Sequence, residues 1–201
     1  MKADLLSIKT HADELIDMYA LTIPVHVFEL ADLMGIRWKI TSTSLLKKAI
    51  IQYDPQSGTK IENWDDVLGF YDTKLELILL NSDNQHITRK RFTMAHELAH
   101  VQLHHDLNSL YRVVFLRQDI VTPRDTVEAE ANYFAGYLLI PDRSLEQKLD
   151  YTMLLYSGEQ IIQTFSKMFA VSPEAMRVRL KTFKKEHPEL WLKYQLDEKL
   201  F

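Results

Sequence analysis

Apolar residues recur along this chain with two different periods, and the changes of period divide it. Between residues 3 and 20, Leu5, Ile8, Ala12, Leu15, Ile16 and Tyr19 return every three or four positions, with Asp4, Lys9, Asp13, Glu14 and Asp17 between them. That spacing predicts an amphipathic helix. Ile23-Pro24 interrupts it, because the residue before a proline is pushed out of the helical region. Val25 to Met34 predicts a second, shorter helix, closed by Gly35. The period then drops to two: Ile36, Trp38 and Ile40 alternate with Arg37, Lys39 and Thr41, the pattern of a half-buried strand. Ala49 to Tyr53, Val67 to Tyr71 and Leu75 to Leu80 predict three further strands. Asp54-Pro55-Gln56-Ser57-Gly58 is a turn after the first, and Asp72-Thr73-Lys74 a hairpin connection between the other two.

From Ile87 to about His104 the period is helical again. Within 107–121, Val113-Val114-Phe115 favours an extended piece that Pro123 closes. Asp125 to Leu139 predicts a strongly apolar helix ending before Ile140-Pro141, and Asp142 is the expected cap of a short helix from Arg143 to Leu149. Ser157 with Gln160 is a capping box opening a helix to about Ala170. Ser172-Pro173 pairs an N-cap residue with proline at the first helical position, and that helix runs to about Lys184. A last amphipathic stretch after His187-Pro188 carries Leu190, Trp191, Tyr194 and Leu196. Helices, then a small sheet, then helices is the α+β layout.

Composition narrows the class. The chain has 201 residues, 46% hydrophobic and 26% charged, with five Gly and six Pro, which suits one well-buried core and excludes disordered and fibrous proteins. A net charge of −4 gives no global attraction to nucleic acid or to an anionic membrane. With no cysteine, disulfides, thiol nucleophiles and thiolate metal ligands are all excluded. Any metal site must therefore use histidine and carboxylate. No apolar run reaches the length of a secretory signal or a membrane span, so the expectation is a soluble, cytoplasmic protein without membrane contact.

The chemistry concentrates in His96-Glu97-Leu98-Ala99-His100, an HExxH pattern inside the helix predicted from Ile87. One helical turn separates the two imidazoles, so both can converge on one tetrahedral zinc ion, and Glu97 flanks the same face as a general base for water. A catalytic zinc needs a third protein ligand. His104 is one candidate, but along an unbroken helix it lies roughly 12 Å from His96 at 1.5 Å per residue. That places it on a cleft wall. The other candidate is Glu128 in Glu128-Ala129-Glu130-Ala131-Asn132-Tyr133-Phe134-Ala135, whose small residues let the helix pack closely. Asn132 shares a face with Glu128 and could orient a ligating histidine, whereas Glu130 projects elsewhere.

Arg91 to His100 and Glu128 to Pro141, together with Phe169 to Leu180 and the opening elements through Gly35-Ile36, resemble the ImmA/IrrE family of metallo-endopeptidases. The resemblance covers most of the chain and is specific in its two central blocks. It implies a zincin-like core of the gluzincin type over residues 1–150, with a C-terminal helical segment, 151–201, packed on the same core. It also implies one Zn2+ per chain held by His96, His100 and Glu128, with Glu97 as the catalytic glutamate. The implied partner is a protein substrate, a helix-turn-helix repressor in a mobile-element or stress-response circuit. One departure is Ala99, where that family often has glycine.

Other expectations rest on the residues themselves. A tetrahedral oxyanion needs a further donor, and His104, Tyr133, Tyr137 and Arg91 are the candidates. The strand from Leu75 to Leu80 is a plausible edge for pairing with an extended peptide. Residues 157–184 also read as a DNA-binding helix pair bearing Lys167, Arg177, Arg179, Lys181, Lys184 and Lys185. Net charge and the apolar stripe Ile161, Ile162, Phe165, Phe169, Met176 and Leu180 favour packing instead. A non-hydrolytic regulator that binds a repressor or DNA is the competing function. His11, His26, His86 and His187 carry no assigned role.

Overall fold

The computed structural model describes residues 5–53, 55, 61, 63–72, 74–83, 86–103, 113–115, 125–149 and 156–193. Helix α1 (Leu5–Met18) buries Ile8, Ala12, Leu15 and Ile16, as its period requires. Helix α2 (Val27–Leu33) ends at Gly35, whose φ of +71° suits a residue without a Cβ. There the Gly35 N–H donates to the Asp32 carbonyl and the Ile36 N–H to that of Ala31, a Schellman closure. Strand β1 (Arg37–Thr41) follows. Trp38 packs on Phe28 and donates its indole N–H to Asp32, while Ile40 stays 39% exposed at the sheet's margin.

The predicted strand at Ala49 to Tyr53 is instead the second half of helix α3 (Thr43–Tyr53). Five residues of mixed apolar type leave the period undecided. Leu46 and Ile50, four apart and both buried, decide it for the helix. They pack on Val67, Phe70 and Leu79 from strands β2 (Val67–Asp72) and β3 (Leu77–Asn81). The link between these strands is longer than a tight hairpin. Asp72 Oδ1 accepts from the backbone N–H of Lys74 and of Leu75, and Glu76 takes a left-handed φ of 49°.

The sheet has the order β1-β3-β2-β4, with β4 spanning Val113–Phe115. β1 runs parallel to β3, and β2 is antiparallel to both β3 and β4. β3 is therefore an interior strand bonded on both sides, which overturns the expectation that it offers an edge to a peptide. Among the described residues, the edge strands of this sheet are β1 and β4.

Helix α4 (Ile87–Gln102) lies across β2 and β3, its first turn capped by the His86 side chain accepting from the Thr88 N–H. The approach is close at Gly69, where an added Cβ would stand 2.7 Å from Thr93 Cγ2 and 3.2 Å from the Leu79 carbonyl oxygen. Thr93 is fully buried and the carbonyl is fixed in the ladder, so neither yields cheaply. Gly69→Ala is expected to destabilise the protein by about 1–3 kcal/mol, the usual range for overpacking. Urea unfolding measures it, and an unchanged midpoint would mean that α4 can retreat from the sheet without loss.

Helix α5 (Asp125–Leu139) packs along α4. Ala95 and Ala99 on one and Ala131 and Ala135 on the other are fully buried in the same cluster. Helix α6 (Asp142–Lys148) begins after Pro141, and Asp142 does not cap it as predicted. That carboxylate is buried and accepts hydrogen bonds from Lys9, Arg179 and His187. Helix α7 (Gly158–Phe169) opens with both bonds of the predicted capping box and ends at Ala170, with φ 52°. Helix α8 (Pro173–Glu186) opens on Ser172-Pro173 as predicted, and α9 spans Pro188–Lys193. One hydrophobic cluster takes in Ile16, Leu98, Phe134, Phe165 and Leu180, so α7 and α8 share the core of α1, α4 and α5. Tyr194 and Leu196 lie outside the described residues. None of the described helices is long and apolar enough to cross a membrane.

Candidate metal centre

Two helices supply the site. On α4, His96 and His100 stand one turn apart and both are buried, their rings edge to face at 4.8 Å between centroids. On α5, Glu128 and Asn132 stand one turn apart and face them. His96 Nε2 lies 3.0 Å from His100 Nε2 and 3.1 Å from Glu128 Oε2, and His100 Nε2 lies 3.6 Å from Glu128 Oε1. Behind them His96 Nδ1 is 3.0 Å from Asn132 Oδ1. An amide oxygen only accepts, so His96 carries its proton on Nδ1 and presents the Nε2 lone pair to the cluster.

The His96 Nε2 lone pair, the His100 Nε2 atom and the Glu128 carboxylate thus lie three to four ångströms apart, a spacing that a shared cation or proton satisfies. The spacing suits zinc. Ligand atoms of a tetrahedral ion, each 2.0–2.1 Å from it, stand about 3.3 Å apart. The chemistry also fits, since two imidazoles and a carboxylate are a common catalytic zinc set that leaves a fourth position for water. The Glu128 side chain, 28% exposed, forms the wetter side of the group. Glu97, between the histidines on α4, is 1% exposed.

Asp142, Glu186 and His187 also bring ligand atoms within 4.8 Å of one another. Here two cations, Lys9 and Arg179, already sit on Asp142. A dication added to them would meet like charge, so this group is an ion-pair hub between α1, α6 and α8. Nothing local in the sequence marked it, because its members are drawn from opposite ends of the chain.

Three of the candidate oxyanion donors have hydrogen-bond partners elsewhere in the fold. Arg91 is buried, and its guanidinium donates through Nε to the Ala170 carbonyl at 2.9 Å and through Nη2 to that of Phe169 at 3.4 Å. Burial draws its pKa below the usual arginine value. The Tyr133 hydroxyl donates to Glu186 Oε1 at 2.5 Å, and that of Tyr137 to Asp13 at 3.1 Å. Both phenols are pushed up in pKa: Tyr133 by burial and then by Glu186, Tyr137 by burial and then by the charges of Asp142 and Asp13. All three groups hold helices together and are turned to partners outside the histidine cluster. His104 lies outside the described residues. Among the basic residues of the C-terminal pair, Arg179 is buried and Arg177 is paired with Glu159, which further weakens the DNA-binding reading.

The sequence profile of the IrrE N-terminal-like domain matches residues 58–181, from before β2 into α8. A protein of Bacillus subtilis (strain 168) named Metallopeptidase ImmA is 36% identical over 90 residues, 45% of this chain and 48% of its own length. Uncharacterized immunity region protein 2 of Bacillus phage phi105 is 36% identical over 84 residues, 41% of this chain and 50% of its own. The chain thus spans about half the length of the curated relatives it matches.

Proposed function

The chain belongs to the ImmA/IrrE family, that of the IrrE N-terminal-like domain, and from this premise we propose that it is a zinc-dependent endopeptidase with a zincin-like core of the gluzincin type. The observation that carries the proposal is the convergence of His96 Nε2, His100 Nε2 and the Glu128 carboxylate within 3.6 Å. These three side chains hold one zinc ion per chain, and Asn132 fixes the His96 ring that points at it. Bound zinc supplies Lewis acidity, acidifying a water molecule and polarising the scissile carbonyl.

The chain's own residues do the rest. Glu97 accepts the proton of the attacking water and returns it to the leaving amine. Its burial next to the ligand histidines keeps that proton from being lost to bulk solvent. Residues 1–150 form the peptidase domain, and 151–201 the helical segment packed against it. The substrate we propose is a helix-turn-helix repressor met in the cytoplasm. Support for this comes from the word "immunity" in the name of the phage relative and "metallopeptidase" in that of the bacterial one.

The test incubates the purified protein with a candidate helix-turn-helix repressor, with and without chelator. Fragments that disappear on chelation are the expected result. An intact regulator beside a zinc-loaded protein would remove this substrate class. Metal analysis checks the ligands separately: wild type is expected to hold close to one zinc, and His96→Ala much less. Equal zinc in both would rule out the ligand set.

A further inference from the structure

We propose that the helix pair α7–α8 is a clamp that fixes the register of the two metal-bearing helices, with Arg91, Arg179 and Tyr133 as its positioning residues. The proposal rests on the metal reading above and concerns what holds that site in shape. Zinc bonds of 2.0–2.1 Å tolerate displacements of only a few tenths of an ångström between α4, with His96 and His100, and α5, with Glu128. The direct contact between these helices is a poor guide to register. Ala95, Ala99, Ala131 and Ala135 are fully buried in the cluster that the two helices share, and like its other apolar members they attract without direction. The His96–Asn132 hydrogen bond belongs to the site itself.

Directional bonds to each metal-bearing helix come from α7–α8. Helix α7 stops where Ala170 turns left-handed, and the carbonyls of Phe169 and Ala170 are left without helical partners. Arg91 of α4, five residues before His96, places its fork on both. From the middle of α8, Arg179 donates Nε to the Ile140 carbonyl at 3.1 Å, just past the end of α5. It also bonds Asp142, with its guanidinium carbon 5.0 Å from the Tyr137 ring centre. Tyr133 of α5, adjacent to Asn132, reaches back to Glu186 at the end of α8. The bonds close a ring: α4 to α7 through Arg91, across the turn to α8, and from α8 to α5 through Arg179 and Tyr133. Arg91 and Arg179 are only 7% and 4% exposed, so water does not compete for these bonds. Moving α5 along α4 would break at least one of them.

The experiment measures zinc affinity by chelator competition and the visible absorption of the cobalt-loaded protein, which reports ligand geometry. Arg91→Gln removes the fork, and Tyr133→Phe removes one hydroxyl and is expected to fold even if Arg91→Gln does not. Each is expected to weaken zinc binding about tenfold, the lower end for losing a group that positions a ligand, and to shift the cobalt spectrum. Arg91→Lys is expected to recover part of the loss. Leu46→Ala, in the separate cluster under α3, serves as the control: it lowers the unfolding midpoint and leaves zinc affinity and the cobalt spectrum unchanged. Wild-type affinity and spectrum in both Arg91→Gln and Tyr133→Phe, beside a His96→Ala protein that has lost zinc, would overturn the clamp alone. An equal loss in Leu46→Ala would also overturn it, reducing the effect to general destabilisation. A wild-type protein that binds no zinc would overturn the metal reading, and the clamp with it.

Discussion

Glu97→Gln is expected to leave zinc content and the unfolding midpoint near those of wild type and to slow cleavage of the protein substrate by about 10²–10⁴-fold, the usual contribution of a positioned acid–base group. The substitution preserves shape and volume. It leaves untouched the His96, His100 and Glu128 atoms that converge on one point. It removes only the ability to take a proton, because an amide is not a base near neutral pH. Since Glu97 is 1% exposed, replacing its charge with a neutral amide also lowers the cost of burial. Binding and chemistry therefore separate: the loss should fall on kcat, with KM little changed. Steady-state kinetics on the regulator substrate, beside metal analysis of the same preparation, make the measurement. Cleavage at the wild-type rate would remove Glu97 as the base. Loss of cleavage with undiminished regulatory effect in cells would favour a non-hydrolytic regulator that merely binds its partner.

The residues brought together at the centre were legible because each signal is local. HExxH needs only a helix to bring its imidazoles to one face, and Glu128 with Asn132 needs only the same four-residue step. The capping box at Ser157 and the closure at Gly35 are likewise written in consecutive residues. What could not be read depends on distant partners. Ala49 to Tyr53 has strand-like composition, but its place over β2 and β3 is set by Leu46 and Ile50 meeting Val67, Phe70 and Leu79. β3 looked like an edge because sequence order is not sheet order: β1 returns beside it in parallel and seals that side. Arg91, Tyr133 and Tyr137 were plausible oxyanion donors by proximity in sequence to the ligands. Their partners, at Ala170, Glu186 and Asp13, turn them into struts. Asp142 has the residue type and place of a helix cap, and only the fold brings Lys9 and Arg179 to it.

That hub carries the largest expected effect on stability. Asp142→Ala is expected to cost about 3 kcal/mol, the lower end of the range for breaking a buried ion pair. In a chain of this size that is a fall of roughly 10 °C in unfolding midpoint. The cost lies mainly in what remains. Arg179, 5% exposed along its side chain, keeps the Ile140 carbonyl and a Glu186 oxygen 3.6 Å away but loses its direct counter-charge. Lys9, 26% exposed, can turn to water, which is why the lower end applies. The pH dependence identifies the cause. Burial alone would raise the Asp142 pKa, but the Arg179 charge and the hydrogen bonds from Lys9 and His187 outweigh it and hold the carboxyl below its ordinary value of 3.8. A depressed carboxylate stabilises the fold at pH above its unfolded pKa and loses that stabilisation as pH falls through the folded one. The gap between wild type and Asp142→Ala should thus be full above about pH 4 and close on further acidification. Urea unfolding across that range measures it. A gap below 1 kcal/mol at neutral pH would mean that Glu186 alone suffices for Arg179, and a gap that persists in acid would assign the loss to packing. Because Arg179 joins α8 to the end of α5, closure of the gap in acid would also mark the pH at which the C-terminal helices lose their charged anchor on the metal-bearing helix.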